Sequence, residues 1–420
     1  MRILYTILWV CLLISEFSAN AQTSTSSPYS MYGIGDLAQI GFGQNRALGG
    51  AGIALPTATT INIVNPASYL TIDSLSFLTD IGFNVKNSRF TSNSQTQTGN
   101  SAGFGYLAIG FRNTSWWKNS IGLIPFSSVG YNINTKKNIE GTSDLANVNV
   151  QGSGGLNQFY WGNAFKIFPN LSLGANLAFI FGSTTQTQDI TTSSNYISGD
   201  LKSIDNTYMH RLYLSYGAQY YFKLSKNVKG SLGLIYGGPC KLNLYHDIST
   251  IDNVTSSNNV LQDNVTTENS LTLPAYYGLG WSIKLFDKLM VTSDYKFYNW
   301  SGSQSLQSNV RFSNSNNYLF GAEYTPSTSF RDRGWKKVSY RVGGFINDSY
   351  LIIQNQQMKD RGVTFGFGLP LMQKKININF ACQIGQKGVS TGQGIITENY
   401  TTFNINFTLF DFWFFKPKFD

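Results

Sequence analysis

The chain has 420 residues and a formal net charge of +9; 13% of it is charged, 15% is aromatic, and Gly occurs 41 times. A soluble domain usually carries about 25% charge, so this balance argues against an ordinary soluble enzyme and for a barrel with one face in lipid and the other toward a polar lumen. Mean hydropathy is −0.14, as expected when two opposite faces are averaged. Lys and Arg are scattered, with pairs at Lys136-Lys137, Lys336-Lys337 and Lys374-Lys375. Without a basic stripe interleaved with aromatics, nucleic acid is not a supported partner, and the pairs read as turn solvation and contact with anionic lipid head groups.

Residues 1–21 read as a secretory signal peptide. Arg2 supplies the positive start, Ile3 to Ile14 form an apolar run broken by Thr6, and Ala19-Asn20-Ala21 is a small-residue cleavage site. The run is shorter than the roughly 20 residues of a membrane-spanning helix. Cys11 lies inside it rather than after a lipobox, so no lipoprotein is expected. The mature chain would start at Gln22, be exported, and lodge in the outer membrane.

Residues 22–73 are Gly-rich and carry no strand alternation. After them, no Pro/Ser linker divides the chain, which predicts one transmembrane barrel over 74–410 and a short periplasmic tail over 411–420. Alternation with period two is the main signal. Leu75, Phe77, Thr79, Ile81, Phe83 and Val85 share one face against Ser76, Leu78, Asp80, Gly82, Asn84 and Lys86. The stretch after Leu171 and the stretch Phe403–Leu409 repeat it. Counted in chain order, strands fall at 74–86, 101–113, 120–133, 156–168, 171–184, 207–222, 229–246, 269–286, 288–302, 307–325, 336–350, 360–370, 374–386 and 399–410. The fold class is therefore all-β: an antiparallel transmembrane barrel of about 14 strands, an even number as in bacterial barrels. An open sheet could not sit in lipid, because its edge groups would stay unpaired. A secreted β-sandwich would alternate too, but would not need so many strands with one apolar face and so little charge.

The connections sort into two kinds. Pro169-Asn170, Phe286-Asp287 and 114–119 are short, whereas 87–100, 134–155, 185–206 and 247–268 are long and rich in Ser, Thr, Asn and Gln. That asymmetry is expected of outer-membrane barrels. Trp116-Trp117 and Phe412-Trp413-Phe414-Phe415 suit the membrane interface.

Pro125 interrupts the third strand, in Ile121-Gly122-Leu123-Ile124-Pro125-Phe126. Proline cannot donate to a ladder and is confined to edges or bulges, so Pro125 and Phe126 should mark a gap in a wall that otherwise has no edge. Pro239 and Pro274 fall nearer strand ends. Cys240 and Cys382 lie in strands and are expected to be unpaired. His210 and His246 belong to no metal-spacing or triad-like motif, so no catalytic residues, metal site or cofactor are expected.

The segment Gly43-Gln44-Asn45-Arg46-Ala47-Leu48-Gly49-Gly50-Ala51-Gly52, followed by Asn65-Pro66-Ala67 just before the first strand, resembles the N-terminal hatch of the FadL/TodX family of outer-membrane transporters of hydrophobic compounds. Asp294-Tyr295-Lys296-Phe297-Tyr298-Asn299-Trp300-Ser301, Tyr340-Arg341-Val342-Gly343-Gly344-Phe345 and Gly362–Pro370 resemble its later strands. Ser27-Pro28-Tyr29-Ser30 and Trp413-Phe414-Phe415-Lys416 are closer to a Bacteroidota-type branch. The similarity spans the mature chain and rests on the order of the motifs.

The resemblance implies a fourteen-stranded barrel plugged by a hatch that includes Arg46, Gly49, Gly50, Gly52, Asn65, Pro66 and Ala67. It also implies a lateral opening into the bilayer at Pro125 and Phe126. Cargo would be long-chain fatty acids or other hydrocarbons, moved passively through a lumen pocket, with Phe104 and Tyr106 as candidate lumen contacts. Independently, a Gly-rich segment suits a plug because Gly accepts backbone conformations closed to other residues. The rival implication is a FadL-like scaffold, an accessory subunit of an outer-membrane secretion or assembly complex. Partners would be hydrophobic small molecules and outer-membrane lipids, with other outer-membrane proteins added in the scaffold case.

Overall fold

A computed structural model describes residues 27–72, 76–92, 95–139, 144–193, 198–252, 259–303, 311–327, 334–371, 375–389 and 395–412. The segment expected to be a signal peptide and most of the aromatic tail lie outside the described residues. Fourteen antiparallel strands form one closed wall. They are β1 Ser76–Ser92, β2 Gln95–Arg112, β3 Trp117–Asn138, β4 Leu145–Phe168, β5 Leu171–Ser193 and β6 Ser198–Ser225. Next come β7, in two collinear pieces Val228–Gly237 and Cys240–Asp252, and β8, in pieces Asn259–Leu273 and Tyr276–Leu285. The circuit continues with β9 Leu289–Tyr298, β10 Ser315–Tyr324, β11 Ser339–Ile353, β12 Gln356–Leu371, β13 Ile376–Lys387 and β14 Thr397–Phe412. Closure is made by β14 on β1, running from Phe412 opposite Ser76 to Thr397 opposite Thr91. The wall thus has the fourteen strands that alternation predicts.

Alternation also sets the two faces. Along β1, Phe83 and Val85 are 46% and 44% exposed, whereas Leu78 and Asp80 are fully enclosed. Phe159, Trp161, Leu212, Leu234, Phe320, Phe365 and Ile405 continue the exposed apolar surface around the barrel. In water such a surface would be untenable; in a bilayer it is the required outer face. Among the described residues no helix is long and apolar enough to cross a membrane, so crossing falls to the strands. The turn after Leu285 is tight: Phe286 and Asp287 both have positive φ (53° and 56°), the Lys288 amide donates to the Leu285 carbonyl at 2.9 Å, and pairing resumes with Leu285 opposite Leu289.

The long connections differ from expectation. Residues 87–100, 134–155, 185–206 and 247–268 are not loops for most of their length but continuations of the hairpins. The strand β6 alone has 28 residues, against roughly 9–11 needed to cross a bilayer. Polar residues hold these extensions: Asn149 Nδ2 donates to the side chains of Asn132 and Asn134 at 2.7 and 2.6 Å, and Thr185 donates to Asn206 at 2.8 Å. Cross-strand pairs of this kind stabilise a sheet without an apolar face. The interval expected as strand at 288–302 ends instead at Tyr298 and passes into a short 3₁₀ turn, Trp300–Gly302.

Inside the wall sits the N-terminal segment. It comprises a 3₁₀ turn Pro28–Met31, a two-residue strand Asp36–Leu37, a single helical turn Gly43–Ala47, and a 3₁₀ turn Pro66–Thr71. Its apolar side chains Phe42, Ile61, Ile63, Tyr69 and Ile72 pack with Leu78, Tyr106, Ile124 and Tyr160 of the wall into one buried cluster.

Candidate functional site

The plug meets the wall at Asn65-Pro66-Ala67. Asn65 precedes the 3₁₀ turn, and its side chain accepts a bond from the Ala67 amide at 3.0 Å, the usual capping role of Asn. Its Nδ2 also donates to the carbonyl of Ile53 at 2.7 Å and to those of Ala218 on β6 and Leu234 on β7 at 3.1 and 3.3 Å. Wall glycines make this proximity possible. A Cβ on Gly174 would lie 2.4 Å from the Pro66 carbonyl carbon, one on Gly217 2.0 Å from the Asn65 Oδ1, and one on Gly233 2.2 Å from the Ile53 oxygen. Sequence reasoning singled out the plug side of this contact and missed the wall side, because isolated glycines in strands carry no local signal of what approaches them.

The other residues expected in the hatch hold different contacts. Gly49 (φ 69°) and Gly50 (φ 89°) turn the chain in the left-handed region. The Gly49 amide donates to Thr364 Oγ1 at 2.9 Å, and that hydroxyl donates to the Ala47 carbonyl at 2.9 Å. The amides of Gly52 and Ile53 both donate to one carboxylate oxygen of Asp294, at 2.6 and 2.8 Å. Among the described residues, Arg46 makes no such wall contact in its hydrogen bonds. It ties the plug to itself, donating to the carbonyl of Gly41 at 3.0 Å and to the side chain and carbonyl of Gln39 at 3.0 and 2.6 Å. Desolvation draws its pKa down to about 10, so it stays charged at neutral pH.

Tyr106 and Phe104, expected side by side in the lumen, lie on opposite faces of β2. Tyr106 faces inward, stacked on Phe42 at 3.7 Å; it donates to Asp80 at 3.1 Å and accepts from the Gly43 amide at 3.2 Å. Phe104 is outward, 42% exposed, with its ring edge-on to Phe83. The correction has a local cause. The register shifts so that Phe83 faces Phe104 while Gly82 faces Tyr106, leaving Gly105 as an extra residue. A bulge of one residue reverses the phase of everything beyond it.

Pro125 sits at the most irregular part of the wall. The β2–β3 ladder runs from Arg112 opposite Lys118 only as far as Leu107 opposite Leu123. Beyond it, no described pairing joins β2 to β3. On its other side β3 stays on β4, but with a shift between Pro125 and Ser127 that leaves Phe126 as the bulged residue. Gly154, Gly155 and Gly182 adopt φ of 106°, 148° and 152° at the same height of β4 and β5. The edge of β3 that β2 leaves is taken by the plug. Asp36 and Leu37 pair with Ser128 and Ser127, and the Ala38 amide donates to the Phe126 carbonyl at 3.0 Å.

Phe126 also joins a second apolar cluster that crosses the lumen. It contains Ile34 of the plug, Leu156, Ile180, Met209, Leu242, Leu271, Trp300 and Tyr350. Trp300 stacks on Tyr350 at 4.3 Å, with Phe312 edge-on to both. This cluster escaped sequence reasoning, since its members come from segments scattered between Ile34 and Tyr350. An open apolar groove of about 580 Å³ lies elsewhere, on the outer wall among Leu173, Tyr216, Leu234, Tyr236, Tyr277 and Leu279.

Groups suited to chemistry are sparse. Among the described residues no cluster of His, Cys, Asp and Glu is arranged to hold a metal ion. Cys240 and Cys382 are free thiols. His246 does have an acidic neighbour, Asp205 at 3.3 Å, with Thr207 at 3.0 Å, on the strand extensions and away from the plug.

A closed fourteen-stranded wall with an apolar exterior and an N-terminal plug defines an outer-membrane β-barrel of FadL-like architecture. The chain matches the BamG family over residues 3–420 and belongs to that family. Comparison with curated proteins finds no match. Among solved structures it is similar to a Pseudomonas aeruginosa FadL homologue, at 12% identity and a TM-score of 0.60, over 89% of this chain and 99% of that one. It is similar also to the Ralstonia pickettii toluene transporter TbuX (14%, 0.56, 88% and 98%) and the Pseudomonas putida toluene transporter TodX (15%, 0.56, 90% and 100%). At these identities the likeness establishes the shared fold.

Proposed function

We propose that the protein is a passive outer-membrane conduit for hydrophobic small molecules of the fatty-acid or hydrocarbon class. The observation that carries the reading is the continuity between the apolar lumen cluster and Phe126, at the point where the β2–β3 ladder ends. A polar solute gains nothing from a lumen crossed by Leu, Ile, Met and Trp side chains. An apolar solute exchanges one apolar surrounding for another and meets no desolvation barrier. Displacement of the plug around Asn65-Pro66-Ala67 would free the lumen, and the cargo would leave at Pro125 into the bilayer. The toluene transporters named above share the fold and support this reading by likeness. Catalysis has no place in it.

The test is uptake of a radiolabelled long-chain fatty acid and of toluene by cells carrying the wild type, Pro125→Ala, or a deletion of residues 43–67. Both variants should change uptake several-fold. Unchanged uptake of both compounds in both variants would rule the mechanism out.

A second reading, an accessory subunit of an outer-membrane assembly or secretion complex, is favoured by one observation: the plug closes the β3 edge with backbone hydrogen bonds, as a permanently sealed scaffold would. Purification from native membrane separates the two. Bound hydrophobic molecules detected by mass spectrometry support the conduit, whereas stoichiometric partner proteins without such molecules support the scaffold.

A further inference from the structure

We infer that residues 36–38 are a detachable strap over the β2–β3 seam, and that Asp36 and Lys387 are the positioning pair that holds it. The inference rests on the proposed passage at Pro125, and it adds what closes that passage.

The strap is slight on the seam side. It offers two paired residues, Asp36 and Leu37, and one further bond from Ala38 to Phe126. By comparison, β3 keeps β4 as its partner over more than 20 residues. A strand this short does not hold a sheet edge by itself. Its second anchor comes from another part of the wall, where Lys387 at the end of β13 reaches Asp36 Oδ1 at 2.5 Å. Both side chains are largely enclosed, at 17% and 16% exposure. Burial alone would raise the Asp36 pKa, but Lys387 and Lys86 together hold it below the usual carboxylate range.

Two features make the strap removable rather than fixed. Gly33 and Gly35 precede it with φ of 63° and 90°, a pair of positions where the chain turns in a region that other residues rarely enter. In addition, few groups hold the strap: two paired residues, one further backbone bond and a single ion pair. Asp36 points inward to Lys387, so the next residue points outward; Leu37 is 39% exposed, as is Ile40. The strap therefore completes the apolar outer face while it is in place.

The upstream chain is tethered separately. Ser27 donates to Glu398 at 3.2 Å, the Ser30 hydroxyl bonds both the amide and the carbonyl of Gly130, and Glu398 is paired with Lys86 at 2.6 Å. Lys387 also lies 5.3 Å from the centre of the Tyr29 ring in that turn, so Asp36→Asn is the variant that frees the strap while the turn keeps its own bonds.

The experiment uses the full chain in a Cys240→Ala/Cys382→Ala background, with a single reporter Ser127→Cys under the strap and a membrane-soluble maleimide as probe. Asp36→Asn and Lys387→Gln should each raise the labelling rate about tenfold, while the barrel keeps its heat-modifiable migration. An unchanged rate in both folded variants overturns the strap. If neither variant folds, the reporter is read with the charges intact. It should label faster than Ser120→Cys, which is enclosed by the wall; an equal rate overturns the strap. Fatty-acid uptake is measured on the same variants. Faster labelling with unchanged uptake leaves the strap standing and removes the conduit reading.

Discussion

Proline breaks this wall in two regions, with different results. In β3, Pro125 coincides with the end of the ladder to β2, and the open edge is covered by a segment of the plug. In β7 and β8, Pro239 and Pro274 interrupt two neighbouring strands at one height, yet the pairing resumes on both sides, with Gly237 opposite Tyr276 and Cys240 opposite Leu273. One lost donor costs a single ladder bond. A seam needs more: a bulge that turns the strand away and a neighbour that does not follow. Phe126 supplies the bulge, Gly154 and Gly155 of β4 take positive φ opposite the stretch just beyond it, and β2 does not follow.

That contrast can be sharpened or broken by substitution. The largest effect is expected from Gly174→Leu, whose side chain would collide with the Pro66 backbone. Overpacking costs about 1–3 kcal/mol where side chains yield, and backbone yields less, so the barrel should lose its heat-modifiable form at a clearly lower temperature. Asp294→Ala leaves two plug amides without their carboxylate acceptor. Hydrogen bonds to charged groups contribute about 1.5–3 kcal/mol each, so a drop of roughly 3 kcal/mol in urea unfolding should follow.

Next, Pro125→Ala should lower hydrophobic uptake several-fold while Pro239→Ala leaves it at the wild-type level. Equal effects would show that the two regions do not differ in function. Phe126→Ala removes a half-buried ring from the lumen cluster and should cost about 1–2 kcal/mol, below the usual 3–5 for a fully buried Phe. The smallest effect belongs to Pro274→Ala, expected within about 0.5 kcal/mol of wild type in the same unfolding assay.

The wall was readable from the chain because lipid and lumen impose period two on every crossing strand. The strand extensions were not, since runs such as 134–155 and 185–206 are mostly polar and alternate only briefly, as at Ala146, Val148 and Val150. Phe104 shows the limit within a strand: its apolar character is visible, but the side it faces depended on the bulge at Gly105. The plug was half readable. Asn65-Pro66-Ala67 stands out as a capped turn, while Gly174, Gly217 and Gly233 become its seat only after folding.

Pro125 and Phe126 therefore mark what sequence and structure each decide. A proline inside a strand of a closed barrel must leave a donor missing, and that much follows from its chemistry alone. Whether the missing bond stays a blemish or becomes a seam depends on where β2 and β4 run. What covers the seam depends on Asp36 meeting Lys387, 351 positions away. Contacts at that separation leave no periodic trace in the chain, because they are set by closure of the barrel around its own N-terminus.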